Sequence, residues 1–158
     1  MILYLDASAL VKRYVREPGS DLVESAIGQA ALIGTSLISR AEVVAAFGKA
    51  RRMSLLTEEA AVQAVAAFRG QWLDLVRVQI TELVMARADM FAWEFGLRGY
   101  DAVPLAAASL WSEGVGEAVT LATFDRSLWA AAVRAGLVAY PASLPQLLEQ
   151  WKPTRSRS

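Results

Sequence analysis

Residues 2–17, ILYLDASALVKRYVRE, decide the fold. Ile2 to Leu5 form a short apolar run that ends on Asp6, the pattern of a strand buried on both faces. The segment SALVKRYVRE then reads as a helix, stopped by Pro18 and Gly19. A strand that runs straight into a helix opens a β-α-β unit, and the rest of the chain repeats the alternation. Ser20 is expected to cap a helix reaching about Gln29, and Ala31 to Thr35 reads as a second strand. An amphipathic helix from Ser39 sets Val43, Val44 and Phe47 on one face. Thr57, followed by two glutamates, starts a helix that runs to about Leu73. Leu75 to Gln79 reads as a strand, Thr81 opens a helix broken by Gly96 and Gly99, and a further helix begins near Asp101 and ends by Gly114. Val119 to Ala122 is a strand, Asp125 to Ala135 a helix, Leu137 to Tyr140 a fifth strand and Ser143 to Trp151 a last helix. Strands alternating with helices require parallel pairing through right-handed crossovers. The expected fold is therefore a three-layer α/β/α domain over residues 1–151, with a short central parallel sheet of four to five strands. Residues 152–158, KPTRSRS, have no apolar anchor and are expected to be a disordered tail.

Composition removes whole classes of chemistry. The 158 residues contain no Cys, which excludes disulfides, thiol nucleophiles and thiolate metal sites. They contain no His, which excludes Ser-His-Asp hydrolysis and His-ligated zinc or iron. An enzyme built from this chain works with carboxylates, hydroxyls, Lys or Arg, and an oxygen-only metal site suits Mg²⁺ or Mn²⁺. The 55% hydrophobic content is more than a core of this size needs and leaves apolar surface for a partner. No apolar run is long enough to span a membrane. The apolar start has an acid at position 6 and no basic region ahead of it, so a cytoplasmic protein is expected. The formal net charge of zero says nothing about nucleic acid.

Four acids fall in comparable places. Asp6 closes the first strand, Glu42 lies in the first turn after the second, Asp125 follows the fourth, and Asp101 opens its own helix. Open parallel sheets bind ligands at the carboxyl ends of their strands, where helix N-termini also gather. A plainer account exists for each residue. Asp6, Asp101 and Asp125 fit helix caps, and Ser39-Arg40-Ala41-Glu42 fits a capping box. Pro104 is tolerated in a first helical turn, which requires a helix start near Asp101 under either account. Caps alone explain the set less well. Carboxylates that converge repel each other, and a divalent cation relieves that repulsion.

The segments LDASALVKRY, SRAEVVAAF, LRGYDAVPLAAA and ATFDRSL together resemble a PIN-domain ribonuclease, and most of all VapC, the toxin of VapBC toxin–antitoxin pairs. The resemblance runs in order from Ile2 to about Tyr140. It implies a Mg²⁺ or Mn²⁺ site and hydrolysis of RNA that leaves a 5′-phosphate and a 3′-hydroxyl. Asp6, Glu42, Asp101 and Asp125 take the places of the family's acidic quartet, and Ser8 and Thr123 match supporting hydroxyls. The chain departs from the pattern at Pro104, where VapC-like chains often carry His. That position is not one of the acids, and what it puts in question is local contact with substrate.

The resemblance also implies a homodimer and a VapB-like antitoxin whose helix lies in an apolar groove. Phe47, Phe68, Trp72, Phe91 and Trp93 are the aromatic candidates for that surface, with most of them expected in the core. RNA requires cations for its phosphates, and Lys12, Arg13, Arg16, Arg98 and Arg126 stand close in sequence to the acids. For each of these the competing account is a solvated helix charge balanced by a nearby acid. Phosphotransferase folds also place Asp after a first strand, but Ser8 stands where haloacid-dehalogenase-like enzymes want a second acid. A PIN nuclease without an antitoxin and a non-catalytic PIN-like scaffold are the remaining alternatives.

Overall fold

The computed structural model describes residues 1–152; the expected tail therefore lies outside the described residues, apart from Lys152. Five parallel strands are joined by helices in the order β1 (Ile2–Leu5), α1 (Ala7–Tyr14), α2 (Ser20–Gln29), β2 (Leu32–Ser36), α3 (Ser39–Arg52), α4 (Glu58–Gln71), β3 (Val76–Val78), α5 (Glu82–Phe95), α6 (Gly99–Val115), β4 (Val119–Ala122), α7 (Arg126–Arg134), β5 (Val138–Tyr140) and α8 (Leu144–Gln150), with a 3₁₀ turn at Trp72–Asp74. The sheet order is β3-β2-β1-β4-β5. From β1 the chain builds outward through β2 and β3, then crosses back to place β4 on the other side. The reversal falls between β1 and β4, where Tyr4 pairs with Leu121 and Leu5 with Ala122. Such a switch point opens a crevice at the carboxyl ends of the two strands.

Strand alternation divides the core. Ile2 and Tyr4 face a cluster with Val119 and Leu121 and with Val84, Phe91, Leu105 and Leu128 from α5, α6 and α7. Leu3 and Leu5 face the other way, toward Leu10, Val23, Phe47 and Phe68 from α1 to α4. The two layers are what a sheet hydrophobic on both faces demands. Four of the five candidate aromatics (Phe47, Phe68, Trp72 and Phe91) are buried in these clusters, while Trp93 on α5 is 94% exposed. No helix among the described residues is long and apolar enough to cross a membrane.

Two helix starts and one capping account differ from the sequence expectation. Gly19, not Ser20, caps α2, in the left-handed region at φ 95°. A Cβ there would meet the Phe124 ring at 2.5 Å, so close packing selects glycine. Ser20 instead accepts from the Glu17 N–H and donates to the Val15 carbonyl. Ser39 is the first helical residue of α3 rather than its cap, and its hydroxyl is hydrogen-bonded to Thr35. The cap position falls to Ile38. Helix α6 starts at Gly99, two residues before Asp101, and carries Pro104 inside it. The hydrogen bond that Pro104 lacks would have gone to the carbonyl of Tyr100, a residue exposed at the helix start.

Candidate functional site

Asp6 is the centre of the site. Its carboxylate is buried at the end of β1 and caps α1, accepting the Ala9 N–H at 3.0 Å. Ser8 donates to the same oxygen at 2.6 Å, and Thr123 donates to the other at 2.8 Å. Both hydroxyls are held in turn: Ser8 accepts from the Phe124 N–H at 2.8 Å and Thr123 from the Asp125 N–H at 3.1 Å. The hydroxyls therefore span the β1–β4 switch point and clamp one carboxylate across it. Burial nevertheless raises the Asp6 carboxyl to about 6, against the three donors that favour the charge, and the Asp125 charge adds to the rise.

The other acids come from separate elements and act on this centre and on one another through their charge. Asp125 caps α7 by accepting the Leu128 N–H at 2.8 Å. Glu42 lies in the first turn of α3, placed there by a short loop that Thr35 anchors through a 2.7 Å bond to the Leu5 carbonyl. Partial burial raises Glu42 to about 7, and the charges of Asp6 and Asp101 push it the same way. Asp101 sits in the first turn of α6 and meets Arg98 at 3.3 Å. The electrostatic coupling links all four acids: Asp125 acts on Asp6, and Asp6 and Asp101 act on Glu42.

Cap and site roles thus coincide at Asp6 and Asp125, whereas Asp101 caps nothing and Glu42 makes no capping box. Among the described residues no three acids already stand in metal-ligating geometry. The reason is visible in their partners: Asp6 faces its three donors, Asp125 the helix N–H, and Asp101 the Arg98 guanidinium. The donor set is nonetheless all carboxylate oxygen, and two of its members are held above their usual range by burial and mutual repulsion. Those are the conditions that a hard divalent cation relieves.

The basic candidates fare differently. Lys12 is only 10% exposed, ion-paired with Glu17 at 2.7 Å and stacked over the Phe124 ring, so it is committed to packing. Arg16 pairs with Asp21 and Glu24, and Arg126 lies 3.6 Å from Glu149. Arg13 stacks on Tyr14. Arg98 alone of the five touches one of the acids. Sequence reading missed Tyr4 and Ser36, whose hydroxyls are buried without a hydrogen-bond partner among the described residues. The available signal was a Tyr two residues before Asp6 in an otherwise aliphatic strand.

No family model matches the chain. Two curated relatives do: ribonuclease VapC45 of Mycobacterium tuberculosis (strain CDC 1551 / Oshkosh) and ribonuclease VapC49 of M. tuberculosis (strain ATCC 25618 / H37Rv). Each is 34% identical over 144 residues, covering 90% of this chain and 97% of the relative. The chain belongs to the VapC ribonuclease family. Its fold is shared more widely. PAE2754 from Pyrobaculum aerophilum superposes with a TM-score of 0.60 at 21% identity, over 95% of this chain and 91% of that one. A toxin–antitoxin complex from Klebsiella pneumoniae gives 0.59 at 19%, over 82% and 91%. VapBC2 from Rickettsia felis, bound to a promoter DNA fragment, gives 0.58 at 16%, over 88% and 97%. The VapC family and the three-layer architecture expected from the motifs are both borne out.

Proposed function

We propose that this VapC-family chain is a metal-dependent endoribonuclease and the toxin member of a cytoplasmic toxin–antitoxin pair. One observation carries the reading. A buried aspartate at the switch point, clamped by one hydroxyl from α1 and one from just beyond β4, lies within electrostatic reach of further acids, and among the described residues the exposed Arg98 is the one cation paired with any of the four. Capping accounts for Asp6 and Asp125 but for neither Glu42 nor Asp101, whereas Mg²⁺ or Mn²⁺ gives a reason for all four.

In this reading Asp6, Asp101 and Asp125 hold the cation directly or through water, with Glu42 as a further ligand or as base. A bound cation would supply a water of lowered pKa and polarisation of the scissile phosphate, the chemistry of hydrolysis to a 5′-phosphate and a 3′-hydroxyl. The protein's part is orientation. Ser8 and Thr123 keep both Asp6 oxygens in place, and each hydroxyl is fixed by a backbone N–H, so neither can rotate away without leaving that N–H unpaired. Glu42, with a carboxyl near 7, is suited to take a proton close to neutral pH. Arg98 reaches the rim beside Asp101, where it meets an incoming phosphate. Arg13, which stacks on Tyr14 rather than on an acid, is the second basic residue available to the strand.

The names of the solved relatives support an antitoxin partner. An apolar groove between α3 and α4, lined by Val44, Phe47, Val62 and Val65, offers it a surface. Trp93 on α5 offers a second apolar contact, suited to a homodimer.

The test is cleavage of a mixed RNA panel in Mg²⁺ or Mn²⁺, beside an EDTA control and Asp6→Asn. Defined cuts lost with EDTA and with the variant are expected. Equal cutting by wild type and variant would overturn the assignment of the site. Absence of cutting, with cation binding equal in wild type and variant, would favour a non-catalytic scaffold.

A further inference from the structure

Two donors and one acceptor are left over at the floor of the acidic site. Tyr4 and Ser36 are both fully buried, and neither hydroxyl has a hydrogen-bond partner among the described residues. Leaving such a group unpaired costs about 1–3 kcal/mol, so each needs an explanation. The two face one another across β1 and β2 without reaching hydrogen-bond geometry. Tyr4 lies on the same face of β1 as Asp6, two residues earlier. Ser36 ends β2, three residues before α3 begins and six before Glu42. Glu42 is the complement. Of the four acids it alone has no donor among the described residues, since its environment consists of burial and the charges of Asp6 and Asp101. The charges of Asp6 and Glu42 both add to the rise that burial causes in the Tyr4 phenol, so its hydroxyl lies within electrostatic reach of the two carboxylates. The phenol keeps its proton at any working pH and can therefore act only through hydrogen bonds.

We propose that Tyr4, through Ser36, is a positioning residue for Glu42: the hydroxyl pair orients the Glu42 carboxylate toward a cation bound at the acidic site. In this proposal donation runs from Tyr4 Oη to Ser36 Oγ and from Ser36 Oγ to a Glu42 oxygen, which would pair both of the buried hydroxyls. This rests on the cation-binding reading above. Ser8 and Thr123 perform the equivalent service for Asp6, so the site is held from both sides of β1: by hydroxyls of α1 and β4 on one acid, and by hydroxyls of β1 and β2 on the other.

The experiment is Mn²⁺ binding, followed by calorimetry on the full chain, for wild type, Asp6→Asn, Tyr4→Phe, Ser36→Ala, Glu42→Gln and the Tyr4→Phe/Glu42→Gln double variant. Wild-type binding that is lost in Asp6→Asn establishes the underlying site separately. Tyr4→Phe is expected to weaken Mn²⁺ binding about tenfold, the usual scale for a residue that orients a ligand. It is also expected to leave the melting temperature of the metal-free protein unchanged or higher, because it removes an unpaired polar group. Ser36→Ala should act in the same direction. In the Glu42→Gln background Tyr4→Phe should cost less than twofold, because the group it orients is already altered. Unchanged Mn²⁺ affinity in Tyr4→Phe would overturn the proposal. So would an equal loss in both backgrounds, or a Glu42→Gln variant that binds Mn²⁺ as wild type does. If Glu42→Gln abolishes binding altogether, Tyr4→Phe against wild type decides: weaker binding with an undiminished metal-free melting temperature supports the proposal, and a lowered one overturns it.

Discussion

Replacing Asp6 by Asn should stabilise the metal-free protein at neutral and alkaline pH while abolishing its activity. The carboxyl is raised from 3.8 to about 6 in the fold. The folded state therefore binds more protons than the unfolded chain between those values, and stability falls as pH rises through that window. At about 1.4 kcal/mol per pH unit, the ionised residue costs about 3 kcal/mol above pH 6, and the cost vanishes below about pH 4. Glu42, raised to about 7 by burial and its neighbours, carries the same sign and extends the window to slightly higher pH. An amide in place of the Asp6 carboxylate keeps its oxygen for Ser8 and the Ala9 N–H, and turns its NH₂ toward Thr123 Oγ1. Some of the gain is lost in that exchange of charge-assisted for neutral bonds, leaving about 1–3 kcal/mol. For a domain of this size that is about 2–10 °C in melting temperature. Urea unfolding in EDTA from pH 4.5 to 8.5 measures it: the two proteins should be close at the acid end and diverge in favour of Asp6→Asn as pH rises. Adding Mg²⁺ should then raise the wild type and leave the variant unmoved, since only a ligand bound to the folded state stabilises it. Parallel profiles, or a variant less stable than wild type at pH 8 in EDTA, would refute the claim that the fold holds Asp6 against its own ionisation.

Thr123→Val and Ser8→Ala each remove one donor from the buried carboxylate and should cost about 1–3 kcal/mol at pH 8, less at pH 5 where Asp6 is protonated; urea titrations at the two values check it. Both should also lower RNA cleavage, measured as kcat at saturating Mg²⁺. Arg98→Gln breaks an ion pair whose cation is 85% exposed, so stability should change by less than about 1 kcal/mol. Mn²⁺ affinity, read by calorimetry, should rise modestly as a competing positive charge leaves Asp101. Gly34→Ala would set a Cβ 2.7 Å from the Trp111 ring, and the displaced ring should cost about 1–3 kcal/mol in thermal or urea unfolding.

Much of the molecule was legible in one dimension because its signals are local. The run Ile2–Leu5 is apolar at every position because β1 is central and covered on both faces, and β4, its fully buried neighbour, carries the same signature. Thr57, Thr81, Asp6 and Asp125 cap the helices expected of them through bonds within a few residues. The absence of Cys and His, read from composition, confined any metal site to oxygen before any coordinate was known. The departures at α2, α3 and α6 have separate causes. Gly19 is chosen by the Phe124 ring, far away in sequence, whereas Ser39 is engaged by Thr35 only four residues back. The start of α6 precedes Asp101 because a proline excludes only one hydrogen bond, and an exposed turn tolerates that loss.

The sequence by itself determined which chemistries the chain can perform and that its acids would stand at strand and helix ends, since residue type and periodicity are local properties. Only the tertiary structure decided what those groups meet. The strand order 3-2-1-4-5 brings Thr123 from position 123 against an acid at position 6, and Thr35 against Leu5. It turns Lys12 into a packed ion pair with Glu17 while leaving Arg98 on Asp101. It buries the hydroxyls of Tyr4 and Ser36 without a hydrogen-bond partner among the described residues. Burial and long-range contact set the energies of charged and polar groups, and neither can be read from a neighbour in sequence.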